Sequence, residues 1–172
     1  MRHIISVLLE NESGALSRVS GLFFARGYNI ESLTVAPTHD KTLSRMTIVT
    51  RGDERKIDQI EKQLFKLIDV AALQDITINR HLEREVVLIK VALPLDTLSE
   101  SKATLERIVN AFNGSLLDVS ETVFIIELSG SGEKVDELIN SLSSLNILEL
   151  VRSGVTGLSS TERVLSIAEY KS

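Results

Sequence analysis

Residues 4–16 read Ile4-Ile5-Ser6-Val7-Leu8-Leu9-Glu10-Asn11-Glu12-Ser13-Gly14-Ala15-Leu16. The apolar first part predicts a buried strand, and an amphipathic helix is expected to start near Leu16. Ser13 is a favoured helix N-cap residue, so the N–H groups of Gly14, Ala15 and Leu16 would point out of the helix N-terminus without partners. Because the positive end of the helix dipole lies there too, the loop is suited to hold a small anion such as the carboxylate of an amino acid.

Gly14 has two interpretations. A glycine just inside a helix costs about 1 kcal/mol relative to alanine, which suggests that a ligand approaches the backbone closely. Alternatively, the glycine only lets the turn close tightly. If its φ is negative, Gly14→Asp should fold and lose the anion, because aspartate is favourable near a helix N-terminus but repels a carboxylate.

The composition narrows the functional class. The chain has 172 residues, of which 43% are hydrophobic and 25% charged, as is ordinary for a globular protein. It has no cysteine, which excludes disulfides, thiolate catalysis and cysteine-ligated metal centres. A net charge of −5 and 4% aromatic residues argue against a nucleic-acid partner. No apolar run is long enough for a membrane helix and no signal-peptide pattern is present, so we expect a cytoplasmic protein with no membrane partner.

The hydrophobic periodicity has the same order in both halves of the chain. Residues 3–78 predict strand, helix, strand, strand, helix and strand, and the order repeats from Glu85 to a last strand at Ile147–Val155. This βαββαβ order is that of the ferredoxin-like split βαβ fold. The predicted fold class is therefore α+β, with two tandem ferredoxin-like domains at residues 1–78 and 85–172 and a linker at 79–84.

The two copies differ at the first strand-to-helix connection. The second copy has Pro94-Leu95-Asp96-Thr97-Leu98 where the first has Asn11-Glu12-Ser13-Gly14-Ala15. The second loop keeps a cap residue, with a capping box at Thr97–Glu100, but it has no glycine. Since one fold tolerates either loop, the comparison favours a ligand-binding loop in the first copy.

A βαββαβ unit with a glycine-bearing first loop resembles an ACT domain, an amino-acid-sensing module. The segments Leu8–Val19, Arg26–Val35 and Leu43–Ile48 resemble, more closely, the small regulatory subunits of acetolactate synthase (acetohydroxyacid synthase). The likeness is dense to about residue 92 and continues through Asp118-Val119, Gly130, Lys134–Asp136 and Arg152–Leu158. The sequence departs from the family pattern at Asn113-Gly114 and at Ser159–Thr161.

The resemblance implies a non-catalytic chain, with no catalytic or metal-binding residues of its own. Such a chain would bind the catalytic large subunit, which carries thiamine diphosphate, magnesium and FAD. It would raise the activity of that subunit and confer feedback inhibition by valine in branched-chain amino-acid biosynthesis. The resemblance also implies a homodimer that binds valine between two first domains. The contributing residues would be Asn11, Gly14, Ala15 and Leu16 from one chain and Asn29 and Ile30 from the other.

Other features leave two alternatives open. One is a stand-alone sensor with tandem ACT domains that controls transcription through a protein partner. The other is a small ferredoxin-like enzyme such as an acyl-phosphate hydrolase, which needs an arginine in the first loop, whereas Arg18 is already in the predicted helix. His3, His39 and His81 lie far apart without metal-ligand spacing and are interpreted as solvated.

Overall fold

The computed structural model describes residues 1–162 and 164–167 and divides the chain into two compact units. The first unit comprises Met1–Glu83 together with the described residues from Val155 onward. The second unit is the continuous segment Arg84–Gly154. Among the described residues, no helix is long and apolar enough to cross a membrane.

The first unit has the predicted βαββαβ order, and its four strands form an antiparallel sheet in the order β2-β3-β1-β4. Helix α1 follows β1, and helix α2 connects β3 to β4. The bounds are β1 Arg2–Glu10, α1 Ala15–Ala25, β2 Ile30–Pro37, β3 Leu43–Arg51, α2 Glu54–Leu64 and β4 Val70–Asp75.

The core of this unit is formed by the strand side chains that point toward the helices. Successive side chains of a strand point to opposite faces, and one face packs against the apolar stripes of both helices. That core consists of Ile5, Val7, Leu9, Val19, Phe23, Met46, Ile48, Ile57, Ile60, Leu64, Val70 and Leu73. The packing fixes where α1 begins, and so it positions the loop after β1.

The second unit repeats the same arrangement, with its strands in the order β6-β7-β5-β8. Its elements are β5 His81–Ala92, α3 Leu98–Ala111, β6 Ser115–Asp118, β7 Val123–Gly130, α4 Gly132–Ser141 and β8 Asn146–Arg152. Strand β5 begins inside the predicted linker 79–84, and its residues up to Glu83 belong to the first unit. The helix-facing core contains Val87, Ile89, Val91, Leu93, Leu105, Val109, Phe124, Ile126, Leu128, Val135, Leu138 and Leu142. The prediction of an α+β fold with two tandem ferredoxin-like units is thus confirmed.

The C-terminal part of the chain differs from the prediction. The last predicted strand ends at Arg152 rather than Val155, and a short strand β9 (Thr156–Ser159) follows and pairs with β5. From Val155 onward the chain belongs to the first unit, which corrects the assignment of residues 85–172 to a single second domain. The cause is apolar burial on the sheet face away from the helices. Val155 packs there with Ile4, Val49 and Ile76, and Leu165 packs with Leu8 and Ala72.

Two predicted helix caps are also corrected. The residue that caps α1 is Gly14 rather than Ser13, and it makes no side-chain cap bond. Thr97 is the N-cap of α3, but its hydroxyl contacts Ser101 instead of a backbone N–H, so the capping box does not form. Asp53 caps α2 by accepting from the Lys56 N–H at 2.8 Å.

Candidate amino-acid-binding loop

Gly14 adopts a left-handed backbone conformation between β1 and α1. Its φ is +87°, a region that glycine enters freely and other L-residues rarely enter. The assumption of a negative φ is therefore wrong. Gly14→Asp should lower the stability of the folded chain in addition to placing a negative charge in the loop. A β-carbon built on Gly14 would also lie 3.0 Å from Nη1 of Arg18. The glycine is thus required by the turn, and the same turn leaves its backbone open to solvent.

Not all three predicted backbone donors are available. The Ala15 N–H donates to the Glu12 carbonyl oxygen at 3.2 Å, and Ala15 is buried at 5% exposure. Within residues 1–162 and 164–167, the N–H groups of Gly14 and Leu16 have no acceptor. The backbone donors available to an anion are therefore those of Gly14 and Leu16. The prediction that the Ala15 N–H binds the anion is wrong, because this group already bonds to Glu12.

Arg18 adds a positive charge that the sequence interpretation placed outside the loop. Its guanidinium donates to both carboxylate oxygens of Asp69, at 2.5 and 2.7 Å, and one of its nitrogens lies 3.4 Å from the Ser13 carbonyl oxygen. A helical side chain leans toward the N-terminus of its helix, so a residue four positions after Gly14 returns to the loop. The spacing between Gly14 and Arg18 is therefore the sequence signal that could have placed the Arg18 side chain at the loop.

The Arg18–Asp69 pair also stiffens the loop. Asp69 is 4% exposed, and its backbone carbonyl accepts from the Glu10 N–H at 2.8 Å. The hydrogen bond from Arg18 lowers the pKa of Asp69, and the bond to Asp69 raises the pKa of Arg18. Both groups therefore stay ionised near neutral pH, and the edge of Arg18 nearest Gly14 remains a donor for an incoming carboxylate.

Asn11 is fixed by the connection between β2 and β3. Its Nδ2 donates to the Lys41 carbonyl oxygen at 3.1 Å, and its Oδ1 accepts from the Ser44 hydroxyl at 3.3 Å. Its backbone N–H donates to the Thr42 carbonyl oxygen at 2.7 Å. The amide orientation is thus set, and Oδ1 keeps a second lone pair for an ammonium donor. Asn11 and Gly14 of the loop thus lie next to Ala15 and Leu16, the first residues of α1.

Asn29 and Ile30 lie elsewhere in the chain. Ile30 pairs with Thr50, which pairs in turn with His3 at the beginning of β1. The loop follows the other end of β1, and a strand advances about 3.3 Å per residue, so the two groups are about 25 Å apart along the sheet. Within one chain, Asn29 and Ile30 therefore do not join the loop in a common site.

Comparisons with known proteins decide the family. A profile described as "AHAS small subunit-like ACT domain" matches residues 5–72, and one described as "Small subunit of acetolactate synthase" matches residues 84–161. The acetolactate synthase isozyme 3 small subunit of Salmonella typhimurium is 49% identical over 166 residues, which cover 96% of this chain and 99% of that protein. The chain belongs to the acetolactate synthase small-subunit family.

Further members of the family agree in sequence and in fold. The acetolactate synthase small subunit of Haemophilus influenzae is 50% identical over 164 residues, covering 95% of this chain and 98% of that protein. The crystal structure of the acetolactate synthase small subunit from Thermotoga maritima superposes with a TM-score of 0.85 at 35% identity, covering 95% and 99% of the two chains. The resemblance found in the sequence is thus confirmed. Small-subunit membership implies a catalytic large partner, and the ACT domain supports a regulatory role.

The histidines are distributed differently from the prediction. His39 is exposed, but His3 is 5% exposed, and its Nδ1 lies 2.7 Å from the Asp75 carboxylate. The interpretation of His3 as solvated is therefore wrong, because strand alternation places His3 on the helix-facing side of β1, together with Ile5 and Val7. In the described part of the chain, no group of three or more His, Cys, Asp or Glu side chains could hold a metal ion.

Proposed function

We propose that this chain activates the catalytic large subunit of acetolactate synthase and confers feedback inhibition by valine. The observation that carries the proposal is the Gly14 loop, in a chain of the small-subunit family. Two backbone N–H groups without acceptors and the edge of one arginine face the same solvent-open loop. Together they provide donors for the carboxylate of an amino acid.

The rest of the ligand would be recognised by Asn11, Leu16, Asn29 and Ile30. The side-chain carbonyls of Asn11 and Asn29 accept from the ammonium group, while Leu16 and Ile30 enclose an isopropyl group. Leu16 is 41% exposed in the single chain, so its side chain is available to a ligand or to a second chain. Ile30 is half-buried at the start of β2.

The distance between the loop and Asn29 supports a site shared by two chains. Strand β2 runs parallel to β1 because both are antiparallel to β3, and β2 lies at the edge of its sheet. An edge strand offers unpaired backbone groups to a second copy. If two β2 strands pair antiparallel about a two-fold axis, Asn29 and Ile30 of one chain reach the end of the sheet that holds the loop of the other. We therefore propose a homodimer with valine bound between the first domains.

The expected affinity is weak. Burial of the valine side chain contributes about 1.5–3 kcal/mol, and each charge-assisted hydrogen bond contributes about 1.5–3 kcal/mol. Association costs at least about 4 kcal/mol. The balance corresponds to a dissociation constant on the order of micromolar to millimolar, which suits an end-product sensor that must release its ligand.

Inhibition then requires two states with different affinity for valine. Valine bound across the dimer would favour one packing of the two chains, and that packing would change the contact with the large subunit. The thiamine diphosphate, magnesium and FAD of the reaction would all reside on that partner. The alternative of a stand-alone sensor that controls transcription is disfavoured by the family assignment.

The principal test is co-expression with the large subunit and measurement of acetolactate formation with and without valine. We expect the purified chain alone to make no acetolactate, to raise the turnover of the large subunit several-fold, and to make that turnover sensitive to valine. Equal rates with and without the chain, under conditions where the two demonstrably bind, would overturn the proposal.

Complementation tests the shared site. Gly14→Asp disables the loop, and Asn29→Ala disables the opposing strand, so each homodimer should lose valine binding. A mixed dimer contains one site in which the loop and the strand are both intact, and mixing the two variants should restore up to half of the sites. A mixture of separately tagged Gly14→Asp chains is the matched control. If the mixed dimer binds no more valine than this control, the site does not span two chains.

A further inference from the structure

The face of the first sheet that points away from the helices carries a row of polar residues, separate from the amino-acid-binding loop. The cross-strand register places four polar residues side by side, one on each strand, and apolar residues lie on both sides of them. The members of the polar row are Thr34, Thr47, Ser6 and Gln74. A buried polar group lowers the stability of the fold unless it makes a hydrogen bond.

Three of the four have partners. Thr34 donates to the Val155 carbonyl oxygen at 2.9 Å, and Thr47 accepts from the Gly157 N–H at 3.4 Å. Ser6 is fully buried, and its hydroxyl oxygen accepts from Nε of Arg45 at 2.6 Å. The C-terminal segment thus covers one part of the row, and Arg45 lies over another part.

Two groups beside Ser6 have hydrogen-bonding capacity that the described residues do not use. Gln74 is 8% exposed and lies opposite Ser6 in the register, and its amide reaches solvent without a hydrogen-bond partner among the described residues. Arg45 is half-buried and has no carboxylate within ion-pair distance in that same set. Burial lowers the pKa of Arg45 from its ordinary value, and no acidic neighbour counteracts that effect.

We propose that Arg45 and Gln74 form a site for one carboxylate group on this face of the sheet. A guanidinium presents paired N–H donors whose geometry fits a carboxylate, and the amide nitrogen of Gln74 supplies a further donor. Ser6 holds the guanidinium in place through Nε and leaves both terminal nitrogens for the ligand. A bound carboxylate compensates the half-buried charge of Arg45 and accepts from the amide nitrogen of Gln74.

The site is distinct from the valine loop. Arg45 is paired in register with Leu8, and its guanidinium reaches toward Ser6, in the direction away from the loop that follows Glu10. Two sources supply a carboxylate in solution: a free small acid, or an acidic side chain of the catalytic subunit. The second source rests on the proposed function, whereas the first does not.

The test uses the full chain titrated with sodium acetate at constant ionic strength, without valine. The readout is the side-chain amide resonance of Gln74 in nitrogen–proton NMR spectra, assigned by its absence in Gln74→Leu. We expect acetate to shift this resonance in the wild type, and Arg45→Gln to weaken the effect about tenfold to a hundredfold. Arg55→Gln is the matched control, because Arg55 is an exposed arginine on helix α2 and its loss changes the net charge equally.

A second arm measures the affinity of the same variants for the large subunit. Gln74→Leu keeps a folded chain in the comparison, since it removes an amide that bonds to no described residue. Loss of acetate binding in Arg45→Gln supports a free acid. Loss of large-subunit affinity in Arg45→Gln and Gln74→Leu, but not in Arg55→Gln, supports an acidic side chain of the partner.

The proposal is overturned if Arg45→Gln matches the wild type in the acetate arm and both Arg45→Gln and Gln74→Leu match it in the large-subunit arm, or if Arg45→Gln and Arg55→Gln weaken binding equally. If the wild type does not bind the large subunit at all, the proposed function fails. The acetate arm then still decides whether Arg45 and Gln74 bind a carboxylate.

Discussion

The Gly14→Asp substitution combines two effects of calculable size. The first is backbone strain: a φ of +87° costs an L-residue about 1–2 kcal/mol. The second is charge. Two carboxylates about 5 Å apart repel by about 3 kcal/mol at an effective dielectric of about 20. That repulsion corresponds to a loss of two to three powers of ten in valine affinity.

Two alanine variants separate strain from charge. Gly14→Ala has the strain without the charge, and it should lower stability by about 1–2 kcal/mol, or about 2–8 °C in melting temperature. Gly27→Ala is a matched control, because Gly27 has a φ of +64° and nothing within 4 Å of an added β-carbon. We expect both alanine variants to lose similar stability and Gly27→Ala to bind valine as the wild type does.

The assay is a calorimetric valine titration on each folded variant, alongside activation of the large subunit. Gly14→Asp should show no measurable valine affinity while still activating. Wild-type-like valine affinity in this variant would falsify the loop as the carboxylate site. If Gly14→Asp fails to fold whereas Gly14→Ala folds and binds valine normally, the role of Gly14 is confined to the turn.

Three further substitutions test the energetics. Burial raises the pKa of Glu61 above its ordinary value of 4.5, so the ionisation of this carboxyl destabilises the folded state as the pH rises above 4.5. Glu61→Gln should therefore raise the melting temperature at pH 7, and this gain should vanish below about pH 4.5. The pKa of Asp69 is lowered, so its stabilising contribution is present at neutral pH and is lost as pH falls through the folded value. Asp69→Asn should therefore destabilise at pH 7, and a urea-melt difference that persists unchanged at pH 2 would contradict this. Gly157→Ala places a β-carbon 2.6 Å from the nearest carbon of Ile76 and should cost about 1–3 kcal/mol, whereas Gly21→Ala, with open space around it, should not destabilise the monomer.

Periodicity predicted the strands and helices well because their apolar residues recur at spacings that local geometry dictates. Gly27 illustrates this: a glycine that directly follows the last turn of a helix is typical of a left-handed helix end, and its φ is +64°. The segment after Val155 was assigned to the wrong unit. Its strand β9 has only four residues, and the residues of the first sheet that bond to Val155 and Gly157 lie more than a hundred positions away in the sequence.

The candidate site was predicted in part. The sequence located the loop through Gly14 and its comparison with the second copy, but it could not supply the φ that makes Gly14 the cap. Arg18 was excluded because it lies in the helix, although its partner Asp69 is 51 residues away and only the folded chain brings them together. Contacts of that range are set by tertiary packing, which local patterns do not encode.

Because Val155 and Leu165 return to the first sheet, the first unit is the last one to be completed during synthesis. Domains generally fold as they emerge, with the N-terminal one first. Here the continuous segment Arg84–Gly154 has all of its own strands before the residues that cover Ile4, Val49 and Ile76 have been synthesised. During translation, the apolar side chains of Ile4, Val49 and Ile76 therefore stay uncovered until Val155 has been synthesised.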